Sequence, residues 1–223
     1  MGDHLRMLLH ALAPVAPRAA DALDIPRVLA PATAGVALTF DDGPHSEGTP
    51  AILDLLARAG LRATFFLIGE QVERRPELAR EIVTAGHLVA VHGYRHRLQM
   101  RLSADQLRAD LDRALATIEA ATGARPQHHR PPYGVYSPAG LRLATAAGLK
   151  PLLWSQWGKD WRRFTTPKRI AARATRKLRT GDVILLHDAD FYSARNSHRR
   201  TVAALRLIIA ELARLEIGTV LPA

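Results

Sequence analysis

The chain has 223 residues, 48% of them hydrophobic, and carries 31 Lys and Arg against 21 Asp and Glu for a net charge of +10. That length and apolar content suit one domain with a sizeable core, built mainly from Leu, Ala, Val and Ile because aromatic content is only 5%. With no cysteine, disulfides and thiolate metal sites are excluded, so any metal must rest on His, Asp or Glu.

The absence of cysteine does not fix a compartment. The basic surplus suits an Arg-rich soluble protein, and equally an attraction to a cell-wall polymer, a membrane surface or nucleic acid. At the start, Leu5, Leu8, Leu9 and Leu12 recur at helical spacing, and Asp3, His10 and Pro14 interrupt the apolar stretch that a signal peptide would need. A short docking helix is therefore predicted. No apolar run is long enough to cross a bilayer. The cytoplasm is the default location, with the cell envelope as the alternative if the N-terminus was trimmed. Residues 1–33 read as an N-terminal extension and 34–223 as the main domain, the soft boundary being Pro26 to Gly35.

From there apolar runs alternate with helical patterns. Strands are predicted at Val36–Phe40, Ala63–Ile68, His87–Val91, Leu152–Ser155, Val183–Leu186 and Thr219–Leu221, with a weaker one ending near His129. Ser103 with Gln106 forms a capping box, Ser137-Pro138 and Thr166-Pro167 open two further helices, and Gly60, Gly86, Gly123 and Gly148 close helices. Such alternation implies parallel strands with crossover helices, as a barrel or an open doubly wound sheet. In either, chemistry collects beyond the carboxyl ends of the strands.

Five polar clusters fall at or near such ends. Asp41 and Asp42 follow the first strand, where alternation along an extended chain would give adjacent carboxylates different tasks, and Gly43-Pro44 then turns the chain. His92 and His96 follow another strand; four apart, they would share one face of a helical turn and bind one metal, with Asp42 as third ligand and open positions for water. Arg130 precedes the rigid Pro131-Pro132-Tyr133-Gly134 loop. All three tryptophans lie between Trp154 and Trp161; Trp154 is assigned to the core, Trp157 and Trp161 to an apolar wall for a sugar face. His187 leaves its strand at the carboxyl end, placed for acid–base work.

In this order the motifs Thr39-Phe40-Asp41-Asp42-Gly43-Pro44, His92-x-x-x-His96, Arg130-Pro-Pro-Tyr133, Asp160-Trp161 and Leu185-Leu-His187 resemble those of the polysaccharide deacetylases, the family-four carbohydrate esterases with a chitooligosaccharide deacetylase-type domain. The resemblance runs from Thr39 to His187 and implies an α/β fold, a distorted (β/α) barrel of about seven parallel strands in a single domain. It implies a hydrolase that removes acetyl groups from an amino sugar or polysaccharide, an N-acetylglucosamine-type substrate being favoured. It further implies Asp41 as general base; Asp42, His92 and His96 as ligands of a divalent metal (zinc first, then cobalt, nickel or manganese); and Arg130 orienting Asp41. Tyr133 would supply a backbone N–H to the oxyanion, Asp160 would tune the general acid His187, and Trp161 and Leu185 would line the acetyl pocket.

Two positions depart from the family pattern. Gly93 stands where Ser or Thr is usual, which predicts a looser site, and Trp157 replaces an Asp, which alters the substrate subsite. The rival readings are a hydrolase of a small cytoplasmic amide or acetylated metabolite, a non-catalytic carbohydrate-binding relative, and a nucleic-acid binder using the basic stretch Trp161 to Gly181. An exposed helix face accounts for that stretch, so nucleic acid is not an expected partner.

Overall fold

The computed structural model describes residues 3–223; Met1 and Gly2, the first residues of the predicted extension, lie outside the described residues. In chain order the elements are α1 (Asp3–Leu12), α2 (Pro17–Asp21), β1 (Gly35–Asp41), α3 (Gly48–Ala59), β2 (Thr64–Leu67), α4 (Gly69–Arg74), α5 (Pro76–Thr84), β3 (Leu88–Val91), α6 (Ala104–Thr122), β4 (His128–His129), α7 (Pro138–Ala146), β5 (Lys150–Pro151), β6 (Gln156–Trp157), α8 (Pro167–Ala174), β7 (Val183–His187), α9 (Ser197–Arg214) and β8 (Gly218–Thr219).

The sheet runs β5-β4-β3-β2-β1-β7-β6, every pairing parallel. β1 is buried along its whole length, as a parallel strand covered on both faces must be. β8 pairs with the start of β1, and Thr219 Oγ1 accepts a hydrogen bond from Arg62 N just ahead of β2. β8 therefore wedges between the starts of β1 and β2.

The predicted strand Leu152–Ser155 is a correction. The segment is buried, but its ladder partners change along its length: Leu152 N donates to His129 O beside β4, and Ser155 N donates to Val183 O beside β7. Between them the carbonyls of Leu152 and Leu153 accept from Arg130, and that of Trp154 accepts from Arg27. β5, this bend and β6 thus form one broken stave that brings the two sheet edges together. The result is a distorted (β/α) barrel of about seven staves.

The helices form where local chemistry indicated. Ser103 Oγ accepts from Gln106 N while Gln106 Oε1 accepts from Ser103 N, completing the capping box of α6. Ser137 and Thr166 cap α7 and α8 through Gly140 N and Arg169 N. Buried Ala204, Leu205, Ile208 and Leu212 give α9 its inner face, and each such Leu or Ile contributes roughly 1.5–3 kcal/mol relative to exposure. In α8 the buried residues are Ile170, Ala171 and Ala174, which leaves the neighbouring Lys168 and Arg169 to solvent. In α1 the helical spacing holds, yet Leu5, Leu8 and Leu12 face outward and His10 is the buried residue. No helix among the described residues is long and apolar enough to cross a membrane.

Candidate active site

Asp41 is the last residue of β1, and Asp42 follows with φ of 82°. That left-handed kink, which costs on the order of 1–3 kcal/mol for a residue with a side chain, replaces the alternation expected of an extended chain. Both carboxylates consequently face one pocket: Asp42 Oδ1 lies 3.5 Å and Asp41 Oδ2 3.8 Å from the same His92 Nε2. The next residue, Gly43, packs so closely that a Cβ there would stand 2.1 Å from Asp188 Oδ2. Burial, helped by the charge of Asp42, pushes the Asp188 carboxyl up to about 7 although the Thr49 hydroxyl donates to it.

His92 continues β3, its N donating to Leu67 O. Its Nδ1 lies 2.7 Å from Arg130 O. A carbonyl only accepts, so Nδ1 carries the proton and Nε2 presents its lone pair to the carboxylates. His96 does not share a helical turn with His92, contrary to expectation. The chain instead folds back as a loop from Gly93, whose φ of 93° favours glycine. The loop is held by Asp110, which accepts from Tyr94 N (2.7 Å) and from Arg97 Nη2 (2.8 Å). Gly69 N and Glu70 N also donate to Gly93 O and Tyr94 O. The site is therefore braced despite Gly93, by backbone and Asp110 in place of a hydroxyl.

The loop carries His96 Nε2 to 3.4 Å from Asp42 Oδ1. One ligand atom from each of Asp42, His92 and His96 lies within 4.8 Å of the others. Two donors each about 2.1 Å from a tetrahedral ion stand about 3.4 Å apart, so the two Asp42–histidine separations fit a shared cation. Asp42 Oδ1 is buried with no hydrogen-bond partner among the described residues, as expected of an atom kept for one. Burial acts to raise the Asp42 carboxyl, but the surrounding histidines, His92 first, outweigh it and hold it below the usual carboxylate range. Burial lowers His96 to about 4 against the pull of Asp42, which keeps its imidazole neutral, as a ligand must be.

Arg130 follows β4 and is wholly buried. Its Nη1 donates to Asp41 Oδ1 (2.7 Å) and Thr39 Oγ1 (3.0 Å), Nε to Leu152 O (2.9 Å) and Nη2 to Leu153 O (2.9 Å). The guanidinium also lies 3.9 Å from the Phe66 ring centroid. At the end of β7, His187 Nδ1 is 2.9 Å from Asp160 Oδ1, while Asp160 Oδ2 accepts from His187 N and from Thr201 Oγ1. Burial works against charge on His187, but the charge and hydrogen bond of Asp160, then Asp42 and Asp41, raise it to about 10.

Asp41, Asp42, His92, His96 and His187 open into a pocket of about 220 Å³, which Tyr133, Trp161, Leu185 and Tyr192 also line. Trp154, assigned to the core, is buried and reaches the same pocket, and the three tryptophans run in file with centroids 5.8 and 5.4 Å apart. Tyr133 has φ of 63°, and the bonds of its turn are donated by Gly134 N and Val135 N, not by its own N–H. All ten predicted site residues thus gather at the carboxyl end of the sheet or in the pocket wall. Tyr192, Asp110 and Asp188 were missed. The aromatic pair Phe191-Tyr192, just beyond His187, was the available signal for the first.

A second His/Asp group, His45, Asp190 and His198, also brings ligand atoms together. His45 Nδ1, however, accepts from Glu47 N and Gly48 N. Its proton is therefore on Nε2, facing Asp190 Oδ1 at 3.4 Å, and the nitrogen that a metal would need is a donor.

Comparison with known proteins finds relatives along most of the chain. A family model described as polysaccharide deacetylase matches residues 30–152. The chain is 35% identical over 179 residues to a peptidoglycan-N-acetylglucosamine deacetylase of Bacillus cereus, covering 79% of this chain and 81% of the relative. It is 36% identical over 189 residues to a chitooligosaccharide deacetylase of Bradyrhizobium, covering 82% and 86%. Among solved structures, the Bc1960 peptidoglycan N-acetylglucosamine deacetylase superposes with a TM-score of 0.82 at 30% identity, over 90% of this chain and 92% of that one.

Proposed function

Since the chain belongs to the polysaccharide deacetylase family, we propose that it is a metal-dependent hydrolase that removes acetyl groups from an N-acetylglucosamine-type sugar or polysaccharide. The observation that carries the reading is the opposite state of two adjacent buried carboxylates. Asp41 is tied to Arg130, whereas Asp42 keeps an unpartnered oxygen between two histidine Nε2 atoms.

Asp42, His92 and His96 would hold the divalent cation, zinc by the nitrogen-rich donor set. When bound, such a cation polarises an acetyl carbonyl and makes water acidic enough to ionise near pH 7. The protein's own groups do the rest. Arg130 occupies Asp41 Oδ1, which leaves Oδ2 on the pocket side to take a proton from the attacking water. The Tyr133 N–H donates to the oxyanion that develops on the acetyl oxygen, a contact worth a few kcal/mol in comparable sites. His187, held as an imidazolium by Asp160, gives its Nε2 proton to the leaving amine. Leu185 and Trp161 enclose the acetyl methyl, and Trp157 offers a face to the sugar ring.

The test is acetate release from N-acetylglucosamine oligomers and peptidoglycan before and after chelation. Chelation should abolish release, and added zinc should restore it. Undiminished release by metal-free protein would refute the reading.

A further inference from the structure

Tyr192 borders the pocket and touches a proposed metal ligand, yet the mechanism above does not use it. Its ring lies flat on the His96 imidazole, with centroids 4.2 Å apart and planes 10° apart. The hydroxyl donates to Glu70 Oε1 at 2.8 Å and accepts from Gln71 Nε2 at 3.2 Å. Burial, reinforced by Glu70, pushes the phenol well above its ordinary value, so it remains a donor.

The two histidines are oriented by different means. The His92 ring is fixed by the bond between its Nδ1 and Arg130 O. His96 Nδ1 is buried and has no partner among the described residues, so no hydrogen bond there sets its rotation. Its ring is held by aromatic contact: Tyr192 on one face and the edge of Tyr133 at 4.7 Å. Tyr133 is 58% exposed and sits on a turn, whereas Tyr192 is anchored by two hydrogen bonds to the start of α4. That same turn of backbone grips the histidine loop, through Gly69 N to Gly93 O and Glu70 N to Tyr94 O. Ring and hydroxyl therefore join the loop after β7 to the loop that carries His96.

We propose that Tyr192 is a positioning residue that holds the His96 imidazole in its metal-binding orientation, replacing the hydrogen bond that His96 lacks. The inference rests on the metal-site reading of Asp42, His92 and His96.

The experiment measures zinc dissociation constants by competition with a fluorescent chelator. The proteins are the wild type, Tyr192→Leu, Tyr192→Phe, His96→Gln and Phe191→Leu. Phe191 is in the same loop and meets the Tyr192 ring edge-on at 6.2 Å, but it packs on His45 and under Arg75 rather than on His96, so its variant controls for general disturbance of the loop. Tyr192→Leu should weaken zinc binding by about 10–100-fold, the usual cost of removing a partner that orients a ligand. Tyr192→Phe, which keeps the stacked ring, should recover most of the affinity, and Phe191→Leu should match the wild type. Wild-type affinity in Tyr192→Leu, or an equal loss in Phe191→Leu, would overturn the inference while leaving the metal site standing. A wild-type protein that binds no zinc, or binds it as well after His96→Gln, would overturn the metal-site reading and this inference with it.

Discussion

Arg130 and Asp42 are both buried at the carboxyl end of the sheet, a few ångströms from Asp41, yet their polar atoms are treated in opposite ways. Every nitrogen of Arg130 donates to an oxygen of the fold, and two of the acceptors are carbonyls in the bend that closes the barrel. Asp42 Oδ1 has no donor among the described residues, and its nearest neighbours are the Nε2 atoms of His92 and His96. The first region is saturated, so its loss should be felt by the fold. The second is left open, so its loss should be felt by a ligand. Burial alone would not have separated them.

The sharpest break of that contrast is Arg130→Met, which keeps length and removes the charge. It leaves Asp41 buried without its partner and two carbonyls without donors, a change that typically costs about 3–5 kcal/mol. Chemical denaturation should show the midpoint falling accordingly. His96→Gln, at a less deeply buried ligand, should move the same midpoint by no more than about 1.5 kcal/mol in chelated protein. Equal losses in the two variants would erase the distinction between the regions.

A smaller effect sharpens the account of the acid. His187 must be protonated to act, so activity falls as pH rises through its pKa. Asp160 is the chief group raising that pKa, toward about 10. Asp160→Asn keeps an acceptor for Nδ1–H but removes the charge, so the alkaline limb of kcat/KM should move to lower pH by on the order of 1–3 units. An unmoved limb would take the acid role from His187.

Much of this arrangement was legible in the sequence, because apolar runs report burial and the capping residues report helix ends. β1, β2, β3 and β7 form within the predicted runs or a residue beyond them, since each is buried through most of its length between helices. Leu152–Ser155 looked the same for the same reason, but its carbonyls serve guanidinium groups and its ladder switches partners. An apolar pattern cannot reveal where a carbonyl points. The relation of Asp41 to Asp42 was likewise set by a kink that leads into Gly43, packed closely against Asp188, and that of His92 to His96 by a loop held through Asp110. Each bracing carboxylate is distant in sequence from the pair it orders. For Tyr192 the chain offers only the aromatic pair Phe191-Tyr192 beyond His187, because its contact with His96 is stacking across two loops.

The most direct test of the central claim compares Asp41→Asn with Asp42→Asn, reading zinc affinity and turnover on the same preparations. Asp41→Asn should retain zinc and much of its substrate affinity while losing about 10²–10⁴ in rate, the usual effect of removing a positioned general base. Asp42→Asn should lose zinc affinity first, with part of its activity restored by excess metal. If the two variants behave alike, or if Asp41→Asn stays active, the two carboxylates do not divide the work as their hydrogen bonds indicate.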